Sequence, residues 1–227
     1  MAAPAPRCGA WPSAWTIESV VAGSLSLAQP RLRGGEVYWL EGRPAEGGRV
    51  VLVRAGDAAP SVSDVVAAPS VSDVVPADAD VRTRVHEYGG GASLVADAGI
   101  WYSDRADGRV RAIASAPQAG AGPDLAQAGA VPLTPDSGGR LRYADFALDA
   151  PRGRLLCVRE DHRVAGREPV NAIVAIALDG SGVTVLVEGS DFYSAPRPGP
   201  DGSSLAFLEW RHPQGAVHFE AQVAGRY

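Results

Sequence analysis

The sequence predicts an all-β chain arranged as a β-propeller of about four blades, each a four-stranded antiparallel sheet. Three observations predict it. The apolar segments are short, rich in Val, Leu, Ile and Tyr, and separated by Gly, Pro and Asp turns, while helical periodicity is nearly absent. Asp-Gly pairs fall between apolar runs at Asp107-Gly108, Asp179-Gly180 and Asp201-Gly202, where tight hairpins need positive φ. A weak internal repeat recurs at a spacing of roughly 50 to 60 residues, within the range of propeller blades.

In chain order the strands are predicted over 36–41 (EVYWLE), 49–54 (RVVLVR), 92–95 (ASLV), 99–103 (GIWYS), 154–159 (RLLCVR), 172–178 (AIVAIAL), 183–187 (VTVLV) and 204–209 (SLAFLE). Each repeat opens on a short inner segment, near Ala28-Gln29-Pro30, Glu87-Tyr88-Gly89, Tyr143-Ala144-Asp145 and Ser194-Ala195-Pro196. The cleanest copies are 144–162 and 195–212, which run as segment, Pro-containing turn, apolar strand, then Glu and a late His. A single blade cannot bury both of its faces, so the units must stack.

A second repeat has another origin. Residues 58–66 read AAPSVSDVV and 67–75 repeat them identically. Diverged blades do not look like that, so 58–75 is expected to be a surface loop that was recently duplicated, where insertions cost little.

Composition narrows the chemistry. The formal charge of -5 argues against a phosphate-backbone binder, so no nucleic-acid partner is expected. All 21 basic residues are Arg, and without Lys no Schiff base, P-loop lysine or Ser–Lys dyad can be built. The first residues lack the apolar run of a signal peptide and no stretch reaches the length of a membrane span, which predicts a cytoplasmic chain with no membrane partner. Cys8 and Cys157 are expected to be free thiols in a reducing compartment.

No G-x-S-x-G nucleophile elbow occurs. The near-misses, Ser181 and Ser203, sit at hairpin turns, where serine is common for backbone reasons. No catalytic residue is therefore expected. His86, His162, His212 and His218 lack metal-ligand spacing, so neither metal nor cofactor is expected. Glu160-Asp161-His162 packs three ligand types together, but strand neighbours point to opposite faces and the three cannot simply converge. Trp11, Trp15, Trp39, Trp101 and Trp210 are expected in cores or blade interfaces. His86-Glu87-Tyr88-Gly89-Gly90-Gly91 carries the most information. It reads either as a tunnel-mouth motif or as a packing motif whose glycines permit close backbone approach. Arg82, Arg84 and Arg159 read either as carboxylate binders or as partners of Asp and Glu inside the propeller.

Several stretches together resemble one family. They are 40–49 (LEGRPAEGGR), 82–91 (RTRVHEYGGG), Arg159-Glu160-Asp161-His162 followed by Glu168-Pro169-Val170-Asn171, and Asp191-Phe192-Tyr193-Ser194-Ala195-Pro196-Arg197 leading into 200–206. In order and spacing they resemble the N-terminal propeller of prolyl oligopeptidase-family serine peptidases, in the acylaminoacyl-peptidase and dipeptidyl-aminopeptidase branch. The resemblance implies part of a larger, seven-bladed ring that caps an α/β-hydrolase domain and restricts which peptides reach it. It covers about Trp11 to Pro213, which assigns residues 1–213 to a partial propeller and leaves 214–227 as a non-matching tail. It makes His86, Glu87, Tyr88, Arg84 and Arg159 the substrate-gating candidates. A peptide substrate is then expected only where a hydrolase domain is joined, the chain alone is expected to be inactive, and its exposed end blades favour self-association. The rival readings are a stand-alone propeller that binds or scaffolds, and a tunnel-site lactonase. The latter needs converging acidic and Asn ligands, and Asn171 is the only Asn.

Overall fold

The computed structural model describes residues 15–16, 19–20, 23–56, 70–87, 89–114, 129–200, 202–211 and the strand at 220–224. Four up-and-down antiparallel sheets follow one another along the chain. The first is β1 (Ser26–Arg33), β2 (Glu36–Arg43), β3 (Arg49–Gly56) and β4 (Ser70–Asp73). The second is β5 (Ser93–Ala96), β6 (Gly99–Ser103), β7 (Val110–Ala114) and β8 (Val131–Pro132). The third is β9 (Leu141–Asp149), β10 (Arg154–Asp161), β11 (Val170–Ala177) and β12 (Val183–Glu188). The fourth has three described strands, β13 (Phe192–Pro198), β14 (Leu205–Trp210) and β15 (Glu220–Ala224). This is the blade architecture of a β-propeller. No described helix is long and apolar enough to cross a membrane.

Period-two alternation turns each middle sheet into a wall between two cores. Along β10, Leu155 and Cys157 face a core shared with the second sheet, whereas Leu156 and Val158 face one shared with the fourth. In β6, Ile100 and Tyr102 pack toward the first sheet and Trp101 toward the third. The three hydrophobic clusters thus lie between successive sheets, and none joins the fourth sheet to the first among the described residues. Leu27, Leu32, Val37 and Val71 of the first sheet remain exposed. Trp101 is a core residue as expected, but Trp15 is exposed and Trp11 lies outside the described residues. Cys157 is a buried free thiol whose ionisation burial pushes up, and Cys8 lies outside the described residues.

The leading strand of three sheets carries the same defect. Gln29-Pro30 together oppose Trp39, Asp145-Phe146 oppose Cys157, and Ala195-Pro196 oppose Phe207, each a two-against-one bulge. The first residue of each pair has a left-handed backbone, with φ of 52° at Gln29, 60° at Asp145 and 50° at Ala195. These are three of the four places where the repeat was seen to begin.

At the matching place in the second sheet, just before β5, lie Gly90 and Gly91. The Asp145 N–H donates to the Gly91 carbonyl (2.8 Å) and the Gly91 N–H donates to Asp145 Oδ1 (2.7 Å). The Ala195 N–H donates to Asp145 Oδ2 at 3.3 Å. One carboxylate therefore ties the second, third and fourth sheets together. A Cβ on Gly90 or Gly91 would stand 3.1 Å or 3.0 Å from Asp145 Oδ1, so a side chain at either position would press the carboxylate aside by a few tenths of an ångström.

The duplicated segment corrects an expectation. Residues 58–69 lie outside the described residues, but the rest of the second copy is not a surface loop. Ser70–Asp73 is β4, paired with β3 from Val53↔Asp73 to Gly56↔Ser70. Val74 and Val75 are fully buried in the core between the first two sheets. Asp73 takes a bidentate contact from Arg43, at 2.6 and 2.8 Å. Apolar Val-Val beside a strand-forming Ser-Val-Ser was enough to recruit the segment into the blade. Within the segment set apart as a tail, 220–224 pairs with β14 from Glu209↔Glu220 to Leu205↔Ala224.

Two predictions follow from these contacts. Removing residues 67–75 or 58–66 yields the same sequence, so the remaining copy supplies β4 and the buried valines. The shortened chain is expected to unfold in urea within about 1 kcal/mol of the parent, because closure entropy varies slowly with loop length. A loss like that of emptying the Val74 and Val75 sites would show that the shortened connection cannot seat the remaining copy as β4. Asp145→Ala, which leaves the Gly91 and Ala195 N–H groups without their acceptor, is expected to cost about 3 kcal/mol in the same measurement. Asp145→Asn retains one acceptor oxygen and is expected to cost less.

Candidate functional site

The stretch 82–87 leads toward the second sheet yet packs on the third and fourth. Val85 is buried in the core between those two sheets. The His86 N–H donates to Glu160 Oε1 at 3.1 Å. The His86 ring places Nδ1 3.6 Å from the same oxygen, and its Nε2 lies 3.3 Å from the Tyr193 carbonyl. The ring meets Phe192 edge-on at 4.9 Å, and Phe192 stacks on Trp210 at 5.4 Å. His86 and Glu87 both adopt left-handed backbones, with φ of 54° and 66°. Such conformations cost on the order of 1 kcal/mol or more per residue and persist where surrounding contacts hold them.

Those contacts centre on Glu160 and Arg142, which face each other across β10 and β9. Glu160 is 3% exposed. It accepts from Arg142 Nη1 at 3.1 Å, and its Oε2 is 2.7 Å from His162 Nε2. Arg142 Nη1 also donates to Glu87 Oε1 (2.6 Å) and to the Arg84 carbonyl (2.9 Å). Burial works against the Glu160 charge, but the His86 and His162 imidazoles and the His86 backbone N–H more than offset it, holding the carboxyl down at about 2. The hydrogen bond from Arg142, with its charge, lowers Glu87 below the usual carboxylate range.

The sequence candidates thus divide. Arg84, His86 and Glu87 are brought together, with Arg84 and Glu87 exposed and His86 held in the packing. Tyr88 lies outside the described residues. Arg159 is elsewhere: it follows Val158 on β10 and points to the opposite face from Glu160, opposite Tyr143. Sequence reasoning missed Arg142 and the role of Glu160. Alternation does send Asp161 away, to Arg163, but it leaves Glu160 and His162 on one side, where they meet. Among the described residues no three His, Cys, Asp or Glu side chains are grouped to hold a metal.

No family model matches the chain, and no curated protein does. Solved structures do. A puromycin-hydrolysing peptidase of Mycobacterium tuberculosis is 29% identical over 95% of this chain, with a TM-score of 0.70. A puromycin hydrolase is 31% identical over 100% of it, with a TM-score of 0.74. The chain resembles the N-terminal propeller portion of prolyl oligopeptidase-family peptidases. A mutant puromycin hydrolase complexed with PGG matches at 32% identity over 98% of the chain, with a TM-score of 0.73. The chain spans 34% to 35% of the length of these peptidases.

The Glu160 cluster gives a pH-dependent prediction. Its carboxyl titrates lower in the folded chain than the ordinary 4.5, so its contribution to stability is complete above the unfolded value. That contribution is lost as pH falls from about 4.5 toward 2. Glu160→Gln is expected to cost about 2 kcal/mol at pH 7 and to flatten the acid limb of a stability profile measured by urea unfolding. An unchanged acid limb in the variant would remove Glu160 from this role.

Proposed function

We propose that the chain serves as the substrate-gating propeller portion of a serine peptidase of this family, and that it does not hydrolyse substrates on its own. The supporting observation is the match to puromycin hydrolase along the whole chain at 31% identity and a TM-score of 0.74. The absence of G-x-S-x-G from the sequence supports the lack of intrinsic activity. The substrates admitted are short peptides and small aminoacyl amides of the puromycin kind. Folded proteins are kept out by the narrow central tunnel of a ring larger than four sheets. The polar ties along the inner strands favour this reading, because a gate must hold its width against thermal opening.

The purified chain is expected to show no turnover of puromycin or of aminoacyl chromogenic substrates above background. Turnover that a serine-directed phosphonate blocks, and that Ser181→Ala or Ser203→Ala abolishes, would overturn the proposal. The gating role is tested by a chimera in which this chain replaces the matching segment of a puromycin hydrolase. The chimera is expected to cleave dipeptide substrates while sparing a folded protein of domain size. Equal cleavage of both would show that the propeller does not select.

A further inference from the structure

We propose that the cleft between the second and third sheets, beside the 82–87 stretch, is a carboxylate-binding site for peptides, with Arg84 and Arg105 as its recognising groups. The cleft is lined by Arg82, Arg84, Arg105 and Arg142, with Asp104 the one carboxylate among its lining side chains. Three of these charges are already matched. Arg82 is paired with Asp80, Arg142 with Glu87 and Glu160, and Asp104 with Arg111 at 2.9 Å. Among the described residues, the exposed guanidinium groups of Arg84 and Arg105 have no carboxylate or hydrogen-bond acceptor. The buried Nε–H of Arg142 also lacks an acceptor. Buried donors are rarely left so, and two uncompensated guanidiniums beside one favour an anion.

The site is preorganised. The Arg105 N–H donates to the Asp80 carbonyl at 2.9 Å, and the Arg84 carbonyl accepts from Arg142 at 2.9 Å. The Arg84 side chain reaches across to the third sheet, where a Cβ on Gly139 would stand 3.6 Å from its Nη2. Planar guanidinium forks lining one narrow cleft suit one carboxylate better than a polyanion, which the net charge of -5 would repel. Assigning that carboxylate to a peptide rests on the gating reading, whereas the anion site itself does not.

The test is calorimetric titration of the full chain with N-acetyl-trialanine as the free acid, with its C-terminal amide and with inorganic phosphate. The acid is expected to bind and the amide not, with affinity falling as salt is raised. Arg84→Ala and Arg105→Ala are each expected to weaken the acid roughly tenfold, and Arg84→Lys by less, because it keeps charge but loses the fork. Both side chains are exposed, so unchanged melting curves are expected to accompany the loss. Equal binding of acid and amide, or variants that bind like the parent, would overturn the proposal. Binding of phosphate that the peptide acid cannot displace would overturn the peptide assignment while leaving the chimera result for gating untouched.

Discussion

The architecture depends on the carboxylate of Asp145. Apolar packing between blades is strong but has little directional preference, so it tolerates sliding of one sheet over the next. Hydrogen bonds do not. Through its backbone N–H and both carboxylate oxygens, Asp145 fixes the inner strand of the third sheet against Gly91 on one side and Ala195 on the other. The left-handed backbone that turns Asp145 toward its neighbours is the bulge itself, and Asp tolerates it better than most residues. A bulge on an inner strand therefore becomes the joint between blades.

Everything outward of that joint is two-sided packing. Residues of one strand alternate between two cores, so a change at Leu155 is felt toward the second sheet and a change at Leu156 toward the fourth. Coupling of this kind is nearest-neighbour, as in a stack of repeats. The 82–87 stretch is the exception. It connects the first two sheets in sequence, yet Val85 and His86 are wedged among residues of the third and fourth. The glycines after it release the chain from that wedge toward β5, close against Asp145.

Legibility in the sequence follows from this division. The eight apolar strands were readable because runs of Val, Ile, Leu, Trp and Tyr mark them, in most with buried side chains although β12 buries none. The inner strands β1, β9 and β13 were visible only as short repeat starts. Their sequences, SLAQPRLR, LRYADFALD and FYSAPRP, mix polar residues and proline around a left-handed bulge. That mixture hides the strand while marking its place. The identity of the duplicated copies misled for a related reason: a recent duplication says where insertion was tolerated, not which copy the fold then uses. The Arg142, Glu160 and Asp145 contacts join residues up to 74 positions apart, and no local pattern encodes such distances. Arg84, His86 and Glu87 were found through motif resemblance, without the partners that hold them.

The distribution of matched charge separates structure from recognition. At the Glu160 cluster, His86, His162 and Arg142 satisfy a buried carboxylate, and little capacity to bind anything else is left. Arg142 stands at the boundary, with one nitrogen engaged by three acceptors and another buried without any. On its far side lie Arg84 and Arg105, whose backbones are fixed by hydrogen bonds and whose side chains reach solvent. Rigid backbone behind uncompensated guanidiniums lowers the entropy lost when a carboxylate is captured. The same loop can therefore lock the blades with one residue and present a receptive cation with another two positions away, because alternate side chains answer to different neighbours.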